Sequence, residues 1–227
     1  MLRILLWSAL LSIAMRAGAA EGVPVDRICP LDGKRFQYLA PNAPPNREIA
    51  LDMKPIDDTA PWPHPKCPDS GFVLYKRDFT GAELDRLREF VLGKEYRALS
   101  EQHGTRYLEA MLRKYLGESP YAIAWSLVQA SWEAYADPVR YKQYAEEALA
   151  TYDAIPLQSL SDIRHRILKR MMSGELARRL GQFESARDRF LEMRDSGELA
   201  KPFYQRTIEL QLRLVRAKDS RSHRTPN

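Results

Sequence analysis

The sequence predicts a mainly α-helical protein, built of antiparallel helical hairpins preceded by a small β and loop module. Three observations carry this. Residues 21–79 hold both cysteines and most of the 15 prolines, with no long periodic run. From Thr80 to about residue 219, apolar residues recur at helical spacing in a stretch rich in Leu, Ala, Glu, Arg and Tyr. Inside the first module, CPLDG at 29–33 and CPDSG at 67–71 write nearly the same turn twice.

The chain opens MLRILLWSALLSIAMRAGAA, with Arg3, an apolar run from Ile4 to Met15, and small residues ending at Ala20. These are the three zones of a secretory signal peptide, and an apolar run of about 12 residues is shorter than the roughly 20 needed to span a bilayer. Cleavage after Ala20, with Ala19 as the alternative, is expected, giving an exported chain, periplasmic or secreted, with no transmembrane anchor. The expected organisation is a signal peptide over 1–20, the β and loop module over 21–79, the helical module over 80–219 and a disordered tail over 220–227. Loss of Arg3 and Arg16 lowers the formal charge from +5 to about +3. Its positive charges are interleaved with acids, which argues against a nucleic-acid partner.

The helical elements follow in order. Thr80 with Glu83 three positions on has the capping-box arrangement, and Leu84, Leu87, Phe90 and Val91 then share a face. Further helices are expected over 97–116, 120–135, 139–154, 161–180, 184–194 and 202–218, six or seven in all. Pro120, Pro138 and Pro202 suit first helical turns, while Gly117, Gly181 and Gly197 punctuate ends. The order Gly174, Ala177, Gly181, Phe183, Ala186, Phe190 resembles a tetratricopeptide repeat, in which small residues let two antiparallel helices approach and aromatics fill the space between them.

Aromatics are dense in this half, among them Tyr107, Tyr115, Tyr121, Trp125, Trp132, Tyr135, Tyr141, Tyr144 and Tyr152. They read first as packing between helices. The functional reading is a concave groove for a peptide or protein, with Tyr121, Trp125, Trp132 and Tyr135 as its lining.

CPLDG and CPDSG each look like half of a zinc-ribbon knuckle, CPxCG, with Asp32 and Ser70 where a second cysteine would stand. Cys29, Pro30, Gly33 and Phe36, then Cys67, Pro68, Gly71 and Phe72, then Asp78 and Phe79 before the helices, together resemble the bacterial DUF2225 family. Its members look like a zinc ribbon fused to tetratricopeptide-like helices. The resemblance implies a metal site in members with four cysteines, of which only Cys29 and Cys67 carry over. A serine hydroxyl is a poor substitute for a thiolate in a closed zinc site. Two ligands from opposite knuckles would already stand close, and export would place them where disulfides persist, so a Cys29–Cys67 disulfide is expected in place of the metal. A surviving zinc on Cys29, Asp32, His64 and Cys67, a reactive cysteine, and intermolecular pairing are the alternatives.

No GxSxG, HExxH, phosphate-cradling glycine loop or DxDxDG loop is present. His64, His103, His165 and His223 read as solvated by default, and Asp57-Asp58 and Glu146-Glu147 as solvated acids. The reading is a non-catalytic adaptor or assembly factor of the cell envelope that binds a protein or peptide and carries no cofactor. The alternative is a metal- or redox-linked enzyme or sensor centred on Cys29 and Cys67.

Overall fold

A computed structural model describes residues 22–42, 48–56, 61–197 and 201–226. The segment read as a signal peptide and the Asp57-Asp58 pair lie outside these residues. The chain is mainly α, with a two-stranded antiparallel sheet at its N-terminal end. Strands β1 (Gly22–Ile28) and β2 (Arg35–Pro41) pair from Ile28 opposite Arg35 to Gly22 opposite Pro41, so CPLDG is the tip of the hairpin. Alternation turns Phe36 and Tyr38 to one face with Val25 and Arg27 across the ladder. The proline-rich run is pinned to that hairpin, because Trp62 Nε1 donates to the Leu39 carbonyl (2.6 Å) and Tyr38 Oη donates to the Pro63 carbonyl (2.7 Å).

Eight helices follow among the described residues: α1 (Gly81–Leu92), α2 (Lys94–Gln102), α3 (Thr105–Leu116), α4 (Pro120–Glu133), α5 (Pro138–Asp153), α6 (Ile163–Arg179), α7 (Phe183–Asp195) and α8 (Pro202–Arg216). The Thr80 capping box forms, and Pro120, Pro138 and Pro202 each open a first turn. One expected helix, 97–116, is two. The break falls at His103 and Gly104, and Glu133 of α4 fills the role of cap. Its carboxylate accepts from the Arg106 amide (3.0 Å) and the Thr105 hydroxyl (2.9 Å), satisfying an orphan donor at the positive end of α3. That partner lies 28 positions away, so local spacing carries no sign of it.

From α3 to α8 each helix packs on the next in chain order, the arrangement of stacked helical hairpins. In the α6–α7 pair, Gly174, Ala177, Ala186 and Phe190 are all buried. A β-carbon at Gly174 would lie 2.5 Å from Phe190 Cε1. We expect Gly174→Ala to destabilise the protein by about 1–2 kcal/mol, the overpacking cost outweighing alanine's better helix propensity. Urea unfolding checks this, and a neutral result would mean that α6 and α7 can separate to accept a methyl group.

The composition break at residue 80 is not the boundary between cores. Cys29, Cys67, Phe72, Val73 and Tyr75 bury together with Leu87, Val91, Tyr96, Leu108 and Leu112, so α1, α2 and part of α3 belong to the knuckle core. A larger core runs from the other side of α3 to α8. Two knuckles alone bury too little apolar surface to stand, and the first helices supply the remainder.

The tail also departs from expectation, since residues 221–225 are ordered against the loop at 49–51. The Leu51 amide donates to the His223 carbonyl (2.8 Å) and the Thr225 amide to the Ile49 carbonyl (3.0 Å), an antiparallel contact. Arg178 on α6, fully buried, donates to the Asp219 and Arg221 carbonyls (2.5 and 3.0 Å) and holds the tail's start. A polar segment is ordered here by partners distant in sequence, where its composition alone suggests disorder. Among the described residues no helix is long and apolar enough to cross a membrane.

Candidate functional site

The two knuckles repeat each other bond for bond. In the first, the Gly33 amide donates to the Cys29 carbonyl (2.8 Å) and the Cys29 amide to the Lys34 carbonyl (2.9 Å). In the second, the Gly71 amide donates to the Cys67 carbonyl (3.0 Å) and the Cys67 amide to the Phe72 carbonyl (2.8 Å). Gly33 and Gly71 both stand at positive φ, +73° and +72°, where a side chain is strained. Asp32 and Ser70, at the positions of the missing cysteines, point back into their own turns: Asp32 Oδ1 accepts from the Lys34 amide (3.0 Å) and Ser70 Oγ from the Phe72 amide (3.3 Å). Lys34 and Asp69 form an ion pair between the knuckles.

Cys29 and Cys67 form a disulfide, with Cα atoms 5.6 Å apart and both residues fully buried. The alternative zinc set of Cys29, Asp32, His64 and Cys67 is not brought together. Both sulfurs are committed to each other, Asp32 turns to its own backbone, and His64 faces the helices. Among the described residues, no three His, Cys, Asp or Glu side chains converge in a way that could hold a metal ion.

His64 is not the solvated loop residue its prolines suggest. Its Nε2 lies 2.7 Å from Glu109 Oε2 and 2.7 Å from Arg106 Nη1, and its amide donates to Thr105 Oγ1 (2.8 Å). Arg106 also donates to Gln129 Oε1 (2.9 Å) and the Trp62 carbonyl (3.1 Å). Arg113 Nε donates to Glu109 Oε1 (2.9 Å), and Arg113 also pairs with Glu118, which accepts from Tyr75 Oη (2.7 Å). Burial pushes the Glu109 carboxyl up, but His64 and Arg113 outweigh it and hold it below the usual range. Every member of this chain bonds to another protein group, although Arg106 Nε is buried without a hydrogen-bond partner among the described residues. It therefore acts as a clasp between the proline-rich loop and helices α3 and α4.

In front of the clasp an open cleft of about 720 Å³ lies between the hairpin and residues 74–77. Its walls include Tyr38, Ala40, Pro65, Leu74 and Tyr75, with Arg27, Lys76 and Arg77 at hand. Lys76 pairs with Glu83 (2.5 Å), whereas neither Arg27 nor Arg77 meets a carboxylate among the described residues. Apolar and aromatic walls with unneutralised cations favour a ligand that is extended, partly apolar and acidic. The aromatic and basic residues sit in loop and strand positions without motif spacing, and the adjacent Lys76-Arg77 is the only local hint.

The four aromatics read as a groove lining divide between the core and the surface. Tyr121, Trp125 and Trp132 recur so as to share a face of α4, of which Trp132 is buried while Tyr121 and Trp125 are half-buried against the core. Trp132 is buried with Trp125 edge-on at 5.5 Å, and Tyr121 lies against His165 (4.5 Å between ring centres) and Tyr152 (6.0 Å). Tyr135 is exposed at the far end, beside Lys54 and Arg179. The remaining histidines are also engaged: His103 bonds Tyr144 Oη (2.5 Å) and stacks on Tyr107, and His223 contacts Asp219 (3.1 Å). No family model matches the chain, and no similar curated protein or solved structure was found.

Proposed function

We propose that this chain is an exported, non-catalytic adaptor or assembly factor of the cell envelope that binds an extended, acidic segment of a partner protein. The cleft between the hairpin and residues 74–77, with Arg27 and Arg77 at its edge meeting no carboxylate among the described residues, carries the reading. The contact surface is thus assigned to the knuckle module, since Trp132 of α4 is buried and Tyr121 and Trp125 lie half-buried against the core. Export is supported by the buried Cys29–Cys67 disulfide, which persists in an oxidising compartment. The likeness to DUF2225 belongs to the same proposal: two knuckles followed by stacked helices suit it, with a disulfide where four-cysteine members would hold metal. A redox role for Cys29 and Cys67 has less support, because full burial denies a reductant access.

The test is capture of partners from envelope extract, followed by peptide mapping of the captured proteins. R27E/R77E is expected to lose partners that the unaltered chain retains, and the mapped segments to be acidic and extended. Equal capture by the two forms, or mapping to α4 through loss with Trp125→Ala, would overturn the assignment.

A further inference from the structure

The stack of helices closes on α8, which packs against α7 and exposes its other side. Thr207, Ile208, Gln211, Leu214 and Val215 are buried, whereas Arg206, Glu209, Arg213 and Arg216 are exposed. Steps of three, four and three residues keep those four on one stripe of the helix, about 15 Å long at the helical rise. Lys201 before the helix and Lys218 after it are exposed as well. Residues 201–218 thus hold five Lys or Arg and one acid, Glu209.

The row is not neutralised by its surroundings. None of these five cations meets a carboxylate among the described residues, and Asp219 beyond the helix is taken by Arg221 and His223. Helix electrostatics favour Arg213 and Arg216 in the last turn, where Arg216 Nε also donates to the Leu212 carbonyl (3.3 Å). They give no reason for Arg206, and they oppose Lys201 at the positive end. Close to Lys201, Phe203 is 36 % exposed and stands edge-on to Tyr204. An exposed aromatic ring thus stands at the head of a row of unpaired cations.

We propose that this face of α8 docks on an anionic phospholipid surface. A row of cations on a convex helix does not enclose a peptide. Lipid headgroups, by contrast, shift sideways in the bilayer and gather opposite fixed charges, so they need no shaped pocket. Clusters of about four or more cations on an amphipathic helix suit such a surface, and an aromatic ring beside them suits the headgroup layer. The contact is separate from the cleft at Arg27 and Arg77 and does not rest on the acidic partner proposed for it.

Flotation of the full chain with increasing amounts of phosphatidylglycerol–phosphatidylcholine vesicles tests this, with pure phosphatidylcholine vesicles reading the background from the apolar run at 4–15. Binding is expected to be tighter on the anionic mixture and to fall with added salt. It should weaken about tenfold or more in R206Q/R213Q/R216Q, since each cation near a charged surface contributes about a fivefold factor. K94Q/R97Q/K142Q removes the same charge from exposed sites elsewhere and should bind as the unaltered chain does. Unfolding midpoints of both triple variants show that the fold is kept, and Arg206→Gln alone, weakened about fivefold, repeats the test with the least disturbance. Equal affinity for the two kinds of vesicle, equal loss in the two triple variants, or α8-dependent binding of polyglutamate without vesicle binding would overturn the proposal.

Discussion

Reducing the Cys29–Cys67 bond, or replacing both cysteines by serine, is expected to lower stability by about 4 kcal/mol. The bond closes a loop of 38 residues, and on the chain-entropy model a loop of that length constrains the unfolded chain by about this much. The effect should not remain local. Cys29 and Cys67 sit in one core with Leu87, Val91, Tyr96 and Leu108, so opening the knuckles loosens α1 to α3 as well. Urea unfolding with and without dithiothreitol reads the difference. Because both sulfurs are buried, dithiothreitol without denaturant should reduce the bond slowly, and alkylation timed against unfolding checks that. A change under about 1 kcal/mol would show that the clasp of His64, Arg106, Glu109 and Arg113 suffices to hold the module.

Arg178→Met is expected to cost about 3–5 kcal/mol and to release the tail. Arg178 and Glu175 are both fully buried, joined by Nη2 to Oε1 at 2.7 Å and Nε to Oε2 at 3.0 Å, with Gln211 bonded to both. Removing one partner leaves the other buried and uncompensated. It also frees the Asp219 and Arg221 carbonyls, so trypsin should cut at Arg221 faster in the variant. A stable variant with an unchanged cleavage rate would place the tail's anchorage in its pairing with residues 49–51 alone. The same pair predicts a pH dependence. Burial pushes Glu175 up from 4.5 to about 7 against the pull of Arg178. Between those values the folded chain keeps a proton that the unfolded chain has lost. This contribution to stability is therefore complete below about 4.5 and disappears as pH rises through about 7. Comparing the pH slope of the unfolding free energy with that of Glu175→Gln isolates it, and equal slopes would reject the assignment.

These residues also show where sequence reading succeeds. Helix starts were legible because their causes are local: a threonine with a glutamate three positions on, or a proline at a first turn, satisfies or removes an orphan donor within the same few residues. The α6–α7 pair was legible for a related reason, since small and aromatic positions alternate at helical spacing. The doubled CPxxG turn stood out because each copy closes its own hydrogen bonds around one glycine.

What failed to show had partners far along the chain. His64 meets Glu109 across 45 positions, Arg178 meets the tail across 41, and Thr225 meets Ile49 across 176. A side chain's composition or spacing does not encode such a meeting, so His64 reads as a loop residue and the tail as disordered. The aromatic face of α4 was visible as a face. Whether it lined a groove or a core depended on where α3 and α5 were laid against it.

By itself, then, the sequence determined the mainly α class, most helix boundaries and the knuckle turns, and it gave the expectation of a bond between its two cysteines that the structure shows. Each rests on chemistry that acts within a few residues or on a repeated motif. Only the tertiary structure decided that the knuckles share a core with the first helices, that residues 221–225 close on the early loop, and that a cleft with basic residues at its edge exists. Those features are spaces and charges assembled from separate segments, and packing alone brings their parts together.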